Sequence, residues 1–381
     1  MKILLIQKMA GVAGSETYYL NLLPELVRRG ISVDFACVEH PDDADKNDAF
    51  CATLVKSDVR CHRFKTRSAL PLRVLWRLRR LILRRSISLV QTNLIHADLW
   101  GALLKISFFG RLRLVSAKHG YSESYQTAHG FDYSYLEHDL FSVITRFAGF
   151  FADRIFCISD GLKGLLVKGR LVSSSKTITI PYGFDFQNMP CKLDVGCGRF
   201  GYPQVIVVAR LVPVKQHDLL LSCVSRLAAN FPDIKFVMIG DGPLKDDLIK
   251  KTNELSVSSH VEWLGYRDNV HDYIRDSDVL VLPSAAEGFG LVVLEAWFNL
   301  TPVIAFDVPA LNEIITHDVN GLLVSPFNKL ELENNIKYLL EDSGRAKKMG
   351  RDGFQEYRQK YSINALVETT IDLYREVLQA Y

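Results

Sequence analysis

The chain has 381 residues, of which 48% are apolar and 23% charged, and its formal net charge is +3. This length predicts two domains of ordinary size, and the composition excludes a disordered chain. Apolar runs shorter than about 18 residues exclude a spanning helix, and because Lys8 interrupts the first of them, we expect no signal peptide.

The cysteines and the charge distribution indicate a location and a kind of partner. Seven cysteines without a CxxC or Cys/His metal spacing predict free thiols in a reducing compartment, and therefore a cytoplasmic protein. Residues 1–190 carry a net charge of +9 and the remainder carries −6. The basic half favours an anionic partner such as membrane lipid or a phosphorylated substrate, whereas no motif for nucleic acid binding supports that third class.

Short apolar runs alternate with amphipathic segments along the chain, which predicts parallel sheets with helical crossovers. The first half contains six predicted strands, at residues 3–6, 33–38, 89–92, 114–117, 154–158 and 177–180. The second half contains six more, at residues 205–209, 235–239, 261–264, 279–282, 303–306 and 321–324. We therefore expect an α/β protein with two doubly wound domains that face each other.

The expected joint is residues 183–202, which lack periodicity and are rich in Gly, Pro and Asn. It divides an N-terminal domain, residues 1–185, from a C-terminal domain, residues 186–362. The last segment, residues 363–381, reads as an amphipathic helix, and we expect it to pack back on the N-terminal domain.

The loop after the first predicted strand contains Gly11 and Gly14, which would let the backbone approach a ligand before a helix that starts near Ser15. Asp34 follows at a spacing that suggests the ribose site of a dinucleotide fold. However, the loop is not GxGxxG and Asp34 lies in the middle of its predicted strand, so we do not expect nicotinamide binding.

Residues 60–85 contain ten Lys/Arg and no acidic residue. One predicted helical stripe carries Arg73, Arg77, Arg80 and Arg84, whereas Leu75, Leu78 and Ile82 lie on another. This pattern is typical of a helix that lies on an anionic bilayer, and equally of a helix that covers a sheet and presents a solvated basic face.

Three strand ends carry polar residues suited to a ligand, because ligands of parallel α/β sheets bind at the carboxyl ends of strands. His119 ends the strand in "LVSAKHGY", where it is either a donor to a polar substrate or a satisfied structural residue. Arg210 and Lys215 follow the first strand of the second half and would suit a diphosphate. The alternative for this pair is a solvated surface.

The stretch "PSAAEGFGLVVLEAWFN" places Glu287 in a glycine-containing loop and Glu295 in a predicted helix over residues 291–299. A spacing of eight is slightly more than two helical turns, so both carboxylates could share one ligand near the helix N-terminus. One carboxylate could accept the hydroxyls of a ribose. The alternative, that Glu295 pairs with an arginine or the backbone, remains open from spacing alone.

Asp276 and Asp278 match the DxD pattern that binds a divalent metal in some sugar transferases. Because Asp278 begins a predicted buried strand, we expect no metal site there.

Taken together, these segments resemble the retaining glycosyltransferases of the GT-B fold that form glycosyltransferase family 4. The segments that carry the resemblance are "GVAGSE", "LVSAKHG", "FCISDGLKGLL", "ITIPYGFD", "VVARLVPVKQHDLLL", "FVMIGDGPLKDDL", "VEWLGYRDNVHDYIRDSDVLVLPSAAEGFGLVVLEA" and "PVIAFDVPALNEII". Each is weak alone, but their order and spacing are specific. The resemblance implies two Rossmann-like domains across a cleft, with the acceptor bound by the first and a nucleotide sugar by the second.

The resemblance also implies roles for single residues, with His119, Glu287, Arg210 and Lys215 as the catalytic set. Donor binding would use the following residues: Glu295 for the ribose hydroxyls, Arg210, Lys215 and Gly14 for the diphosphate, Glu287 and His119 for the sugar, Tyr266 with Arg267 for the base, and the amides of Gly288, Phe289, Gly290 and Leu291 for phosphate. The chain departs from the family pattern at Ala13, Gln216 and Tyr182, where glycine, glycine and asparagine are common.

The activity implied is an α-retaining, metal-independent transfer from a nucleotide-diphosphate sugar to a saccharide or lipid-linked saccharide, in surface polysaccharide or glycolipid synthesis. No cofactor or metal is expected, and the protein would lie in the cytoplasm or on the inner face of the membrane. The alternatives are a nucleotide-sugar epimerase and a noncatalytic nucleotide-sugar-binding subunit of the same fold.

Overall fold

The computed structural model describes residues 1–10, 14–68, 70–121, 125, 129–136, 139–186, 199–267 and 269–379, with backbone only for residues 14 and 15. Most of the predicted joint and the departure at Ala13 lie outside these residues. The chain forms two compact units: unit 1 contains residues 1–121, 131–184 and 362–381, and unit 2 contains residues 122–130 and 185–361.

Unit 1 is built on one parallel sheet with the strand order β3-β2-β1-β4-β5-β6-β7. Its strands are β1 (Lys2–Met9), β2 (Ser32–Glu39), β3 (Arg60–Lys65), β4 (Leu89–Asn93), β5 (Arg113–Lys118), β6 (Arg154–Cys157) and β7 (Thr177–Thr179). Six of these were predicted. The sequence analysis missed β3, which is an edge strand with a single buried side chain, Phe64.

The charged residues of β3 pair with carboxylates on the neighbouring strand. Asp34 on β2 is completely buried and accepts hydrogen bonds from the Arg60 guanidinium and from His62. These partners hold the pKa of Asp34 below its ordinary value against the opposing effect of burial. Asp34 is therefore a structural residue, as its mid-strand position predicted.

The first two segments of unit 1, residues 1–121 and 131–184, contain six described helices. They are α1 (Gly14–Arg28), α2 (Asp48–Lys56), α3 (Leu72–Arg85), α4 (Leu94–Ser107), α5 (Leu140–Phe151) and α6 (Asp160–Lys168). On α3, Val74, Leu78 and Ile82 recur every four residues, so they share one helical face. That face packs into the sheet core with Trp100 of α4 and Leu4 of β1. The arginine stripe of α3 remains exposed, as predicted.

Unit 2 is built on a second parallel sheet with the strand order β10-β9-β8-β11-β12-β13. Its strands are β8 (Gln204–Val208), β9 (Lys235–Ile239), β10 (Val261–Gly265), β11 (Val279–Leu282), β12 (Val303–Phe306) and β13 (Leu322–Val324). The helices are α7 (His217–Asn230), α8 (Lys245–Glu254), α9 (Val270–Arg275), α10 (Leu291–Phe298), α11 (Leu311–Ile314), α12 (Lys329–Leu340) and α13 (Ser343–Lys360). All six strands were predicted.

The chain then returns to unit 1 as α14 (Ile363–Gln379). Its inner face buries Leu366, Val367 and Tyr374 against α1 and the sheet. The Tyr374 hydroxyl donates to Oε1 of Gln91 on β4 at 2.5 Å. This helix therefore belongs to the core of unit 1. Within the described ranges, no helix is both long and apolar enough to span a bilayer.

Candidate functional site

In unit 2 the strand order reverses between β8 and β11, and the loops that follow these two strands lie side by side. The amide of Ala285, after β11, donates to the carbonyl of Val214, after β8, at 2.8 Å. Neighbouring parallel strands whose connections run in opposite directions leave a crevice at their carboxyl ends, where ligands of such sheets bind. Six of the predicted site residues lie on these two loops: Arg210, Lys215, Glu287, Gly288, Phe289 and Gly290.

The backbone around Arg210 is held by the loop that follows β9. The Ala209 amide donates to the Ile239 carbonyl at 3.0 Å, and the Leu211 amide donates to the Asp241 carbonyl at 2.9 Å. Gly240 has φ +139°, and a Cβ there would lie 1.9 Å from the Ala209 oxygen, so only glycine allows this approach. The backbone of Arg210 is thereby fixed at the start of the loop that follows β8, and its side chain is exposed.

Lys215 and Glu287 form an ion pair across the two loops, with Nζ and Oε1 2.5 Å apart. Their side chains are only 14% and 12% exposed. The pair is shielded from most of the solvent, so its attraction is less screened than that of a surface pair. The structure therefore brings together two residues that the sequence analysis assigned to phosphate and sugar separately.

The turn before α10 depends on Gly290. Its φ is +89°, and a Cβ at this position would lie 2.5 Å from Cδ2 of Leu311. Phe289 beside it is buried and contacts the Tyr361 ring, so the Gly288–Gly290 turn is anchored as Leu291 begins the helix. The first amides of α10 have no partner within the helix and point out of its N-terminus, which makes them suitable for an anion.

Glu295 lies one turn further along α10. Part of its surface reaches solvent, but protein atoms crowd its carboxyl group, and this burial raises its pKa from 4.5 to about 7. In the described part of the chain, no side chain or backbone group bonds or pairs with that carboxyl group. The structure therefore does not support the alternative in which Glu295 serves an internal ion pair.

Two further polar residues of this region were not singled out from the sequence. Ser284, two residues after the end of β11, is fully buried, and its hydroxyl has no hydrogen-bond partner among the described residues. His217, at the start of α7, is 2% exposed and neither ring nitrogen is bonded to a described group. Burial lowers the His217 pKa to about 4, so this ring is neutral near pH 7. In the sequence, the only signal for Ser284 and His217 was that each follows the end of a predicted strand.

Tyr266 and Arg267 follow β10 at the same edge of the sheet, two strands away from β8. The Tyr266 side chain is 73% exposed. Their contact with the base stays a prediction.

In unit 1, Gly14 is the first residue of α1, which follows β1 and so starts at the carboxyl edge of that sheet. His119 follows β5 at the same edge. Its Nε2 lies 2.9 Å from the Tyr19 hydroxyl and its Nδ1 lies 2.9 Å from the Tyr182 hydroxyl. Burial lowers the His119 pKa to about 3, so the imidazole is neutral and bonded to a tyrosine at each nitrogen.

Tyr182 stacks on the His119 ring, with centroids 5.7 Å apart and planes inclined by 20°. Tyr182, which stands where asparagine is common in the family, therefore still places a polar group at this position, because its hydroxyl bonds the histidine. His119 is a satisfied residue in unit 1, which is the structural alternative given for it above.

The DxD residues serve as structural partners. Asp278 pairs with Arg199, with Oδ2 2.8 Å from Nη1, and also accepts from the Gln204 amide. Asp276 pairs with Arg275. Within the residues that the structure describes, no group of three or more His, Cys, Asp or Glu side chains is placed to hold a metal ion.

Comparison with known families matches nearly the whole chain. The model described as Glycosyltransferase Family 4 matches residues 12–188, and the model described as Glycosyl transferases group 1 matches residues 199–356. An uncharacterized glycosyltransferase of Methanocaldococcus jannaschii is 30% identical over 257 residues, covering 66% of this chain and 68% of that protein. Several other curated relatives match over only about half of their own length.

Two further comparisons bear on chemistry and on fold. The UDP-Gal:alpha-D-GlcNAc-diphosphoundecaprenol alpha-1,3-galactosyltransferase of Escherichia coli is 24% identical over 66% of this chain and 68% of that protein. The crystal structure of Anabaena HepE in complex with UDP matches with a TM-score of 0.79 at 20% identity, over 99% of this chain and 100% of that one. This structural likeness shows a GT-B fold.

Proposed function

The chain belongs to glycosyltransferase family 4 and has the GT-B fold, and from this membership we propose that it transfers a sugar from a nucleotide-diphosphate sugar. The acceptor is a saccharide or a lipid-linked saccharide, and the anomeric configuration is retained to give an α-glycosidic bond. The observation that carries the proposal is the set of groups at the β8–β11 reversal: Arg210, the Lys215–Glu287 pair and the unpaired carboxyl of Glu295.

Each group suits one part of such a donor. The carboxylate of Glu295 accepts the two adjacent hydroxyls of a ribose, which supplies the partners that it lacks in the folded chain. Arg210, Lys215 and the amides of residues 288–291 bind the diphosphate, and Glu287 accepts hydroxyls of the sugar. Gly14 near the diphosphate, Tyr266 near the base and His119 near the sugar are retained as predictions.

The same groups account for the chemistry. As the glycosidic bond to phosphate breaks, negative charge grows on the leaving nucleoside diphosphate. Lys215, held by Glu287, and the N-terminus of α10 are in place before the donor arrives, so they stabilise that charge with little reorganisation, and the exposed Arg210 adds a second cation. We propose that this makes the transfer metal-independent and that the acceptor hydroxyl attacks on the face from which the diphosphate departs. No protein nucleophile is then required.

The nucleotides used by two similar proteins decide which donor to test first. The HepE structure was determined with UDP, and the Escherichia coli relative uses UDP-Gal with a diphosphoundecaprenol-linked acceptor. We therefore propose a UDP-sugar donor and a lipid-linked acceptor, with a role in surface polysaccharide or glycolipid assembly.

The test is the binding of UDP measured by thermal shift, because a ligand that binds only the folded state raises its stability. UDP should raise the Tm of the native protein, and Glu295→Gln should lose at least ten-fold in affinity. Glu341→Gln, at an exposed position of the same unit, serves as the matched control. Equal affinity in the Glu295 and Glu341 variants would contradict the donor site.

Turnover separates transfer from the two alternative functions. Glu287→Ala should lower the release of UDP by at least 100-fold, because the variant loses both its contact with the sugar and the partner of Lys215. Release that requires an acceptor indicates transfer. An epimerase would instead convert the sugar without acceptor, and a noncatalytic subunit would only bind it.

We also propose that α3 brings the protein to the inner face of an anionic membrane. Its exposed side chains are of two kinds, basic and large apolar: Arg73, Arg77, Arg80, Arg84, Leu72, Trp76 and Leu83. The Arg80 guanidinium lies over the Trp76 ring at 4.5 Å. Basic and aromatic side chains on one helical face suit the boundary between headgroups and acyl chains.

Co-sedimentation with liposomes tests this helix. Changing Arg77, Arg80 and Arg84 to Glu should abolish binding to anionic vesicles. The matched control changes Lys347, Lys348 and Arg351 on α13 to Glu, which alters the net charge equally at other exposed positions. Equal loss in both variants would indicate nonspecific attraction, and no loss in the α3 variant would remove the proposal.

A further inference from the structure

Unit 2 contains a cavity of about 560 Å³ between the loop that follows β8, the start of α7 and one face of α8. Val212, Leu244 and Leu248 provide apolar walls, and the ring of His217 also lines the cavity. Small-molecule sites in proteins commonly have volumes of about 300–1,000 Å³ and combine apolar walls with a few polar groups. The cavity is therefore large enough to hold a small ligand.

This cavity is distinct from the candidate site at the β8–β11 reversal, although both adjoin the loop after β8. In the sheet, β8 lies between β9 and β11. The loop after β8 contacts the β11 loop on one side, and on its other side the Leu244 amide donates to the Leu211 carbonyl at 3.1 Å. The described residues that line the cavity do not include Lys215, Glu287 or Glu295. A ligand in the cavity would thus leave the place proposed for the diphosphate open.

His217 brings unused hydrogen-bonding capacity to the cavity. Its side chain is 2% exposed, and neither ring nitrogen is bonded to a group in the described ranges. Buried polar side chains in folded proteins are nearly always hydrogen-bonded, so an unsatisfied imidazole indicates a missing partner. Burial lowers the pKa of His217 to about 4, so near pH 7 the ring has a donor at one nitrogen and an acceptor at the other. A hydroxyl group, which both donates and accepts, can satisfy either nitrogen.

The charged residues of the cavity disfavour an anionic ligand. Four of them form two ion pairs, Lys250 with Glu254 at 3.7 Å and Lys251 with Asp218. The fifth is Asp247, whose carboxylate pairs with no cation in the described part of the chain. A phosphate would therefore meet no uncompensated cation on these walls and would be repelled by Asp247. The same carboxylate can accept hydrogen bonds from neutral hydroxyl groups.

We propose that this cavity is a second saccharide site, which binds a neutral sugar outside the donor site. The hydroxyls of the sugar bond the imidazole of His217 on α7 and the carboxylate of Asp247 on α8, and its C–H groups pack on Leu244 and Leu248. The sugar thus joins two helices of unit 2. The proposal does not rest on sugar transfer, because binding is measured without turnover.

Histidine side-chain NMR of the full chain, produced with isotope-labelled histidine, observes the cavity directly. The chain has ten histidines, and the signals of His217 are those that disappear in His217→Gln. Glucose, galactose and N-acetylglucosamine are each added up to about 50 mM, which covers affinities in the millimolar range. We expect at least one of them to shift the His217 signals along a saturable curve. The signals of His260, which does not line the cavity, should stay in place.

Two pairs of variants place the bound sugar, with affinities measured by titration calorimetry. Leu244→Trp fills the cavity and should abolish binding, whereas Leu330→Trp, at a 56% exposed position on α12, should not. Asp247→Ala should weaken binding about ten-fold, because one hydrogen bond to a charged group is lost. Asp246→Ala, at the exposed neighbouring position that does not line the cavity, should bind as the native protein does.

Four outcomes would each overturn the proposal. If none of the three sugars shifts the His217 signals of the native protein, the cavity is not a saccharide site, whatever the variants do. Displacement of the bound sugar by UDP would place it in the donor crevice instead. A shift caused by sodium phosphate and by no sugar would show an anion site, and equal affinities of the Leu244→Trp and Leu330→Trp proteins would place the sugar elsewhere.

Discussion

The position of the Glu295 carboxyl group lowers the stability of the folded protein. A carboxyl group that is buried without a partner is destabilising in its charged form. Its pKa of about 7 in the folded protein, against 4.5 when unfolded, means that folding takes up a proton between these values. Stability therefore falls as the pH rises from about 4.5 to 7 and stays low above pH 7.

We predict that Glu295→Gln raises the stability of the protein at pH 8 but not at pH 4.5. The gain is on the order of 2 kcal/mol after allowance for partial exposure, which corresponds to several degrees in Tm. Thermal unfolding of both proteins from pH 4.5 to 8 measures it. If the Tm values of the two proteins change with pH in parallel over this range, the burial of an unpaired carboxyl group is contradicted.

The same residue predicts a pH dependence of donor binding. The hydroxyls of a ribose donate to the ionised carboxylate, so binding of UDP should strengthen as the pH rises from 6 to 8 and then level off. Glu295→Gln should bind weakly, with little change over this range. Titration calorimetry at several pH values distinguishes the two profiles, and an unchanged slope in the variant would exclude Glu295 as the group responsible.

At the scale of elements, the buried strands were predictable from the sequence, whereas the charged edge strand β3 was not. Runs of four to six residues, apolar except for Asp34 in β2, marked β1, β2, β8 and β11, because both faces of these strands are covered. β3 has the sequence RCHRFK, in which buried carboxylates of β2 compensate Arg60 and Arg63. Since those pairs join residues far apart in sequence, no local pattern reveals them.

The turn before α7 carries a strained residue where the family commonly has glycine. Gln216 has φ +52°, a left-handed conformation that costs a side chain about 1 kcal/mol, and its Nε2 donates to the Pro213 carbonyl at 2.9 Å. We predict that Gln216→Gly stabilises the protein by about 0.5–1 kcal/mol, because relief of strain exceeds the loss of one exposed bond. Gln216→Ala should destabilise it, since the strain stays. Chemical denaturation of the three proteins measures their free energies of unfolding. Any order other than the glycine variant first, the native protein second and the alanine variant last would contradict the strain at Gln216.

At the scale of the whole molecule, the order of motifs predicted two Rossmann-like domains and the family, and both are confirmed. The strand ends that carry the candidate site at the β8–β11 reversal were also predictable, because strand ends are visible in the sequence. The Lys215–Glu287 pair, the isolation of Glu295 and the bonding of His119 by two tyrosines were not. Each depends on distances between separate segments, which one sequence does not contain.

Unit 1 needs α14, and its removal should be severe. Each large apolar side chain that this helix buries contributes roughly 1.5–3 kcal/mol, and several of them together approach the 5–15 kcal/mol that stabilises a typical domain. A chain ending at Tyr361 should show rapid hydrogen exchange throughout unit 1, with unit 2 still protected. A chain ending at Gln379 is the control. Retained protection in unit 1 of the shorter chain would contradict this role.

The return of α14 has a consequence for synthesis on the ribosome. Residues 199–361, which hold the six strands of unit 2, are translated before the helix that unit 1 requires. The second sheet can therefore reach its native form during elongation, while the first must wait with an uncovered apolar surface. Nascent chains of this protein should thus depend on chaperones chiefly through the segment that is made earliest.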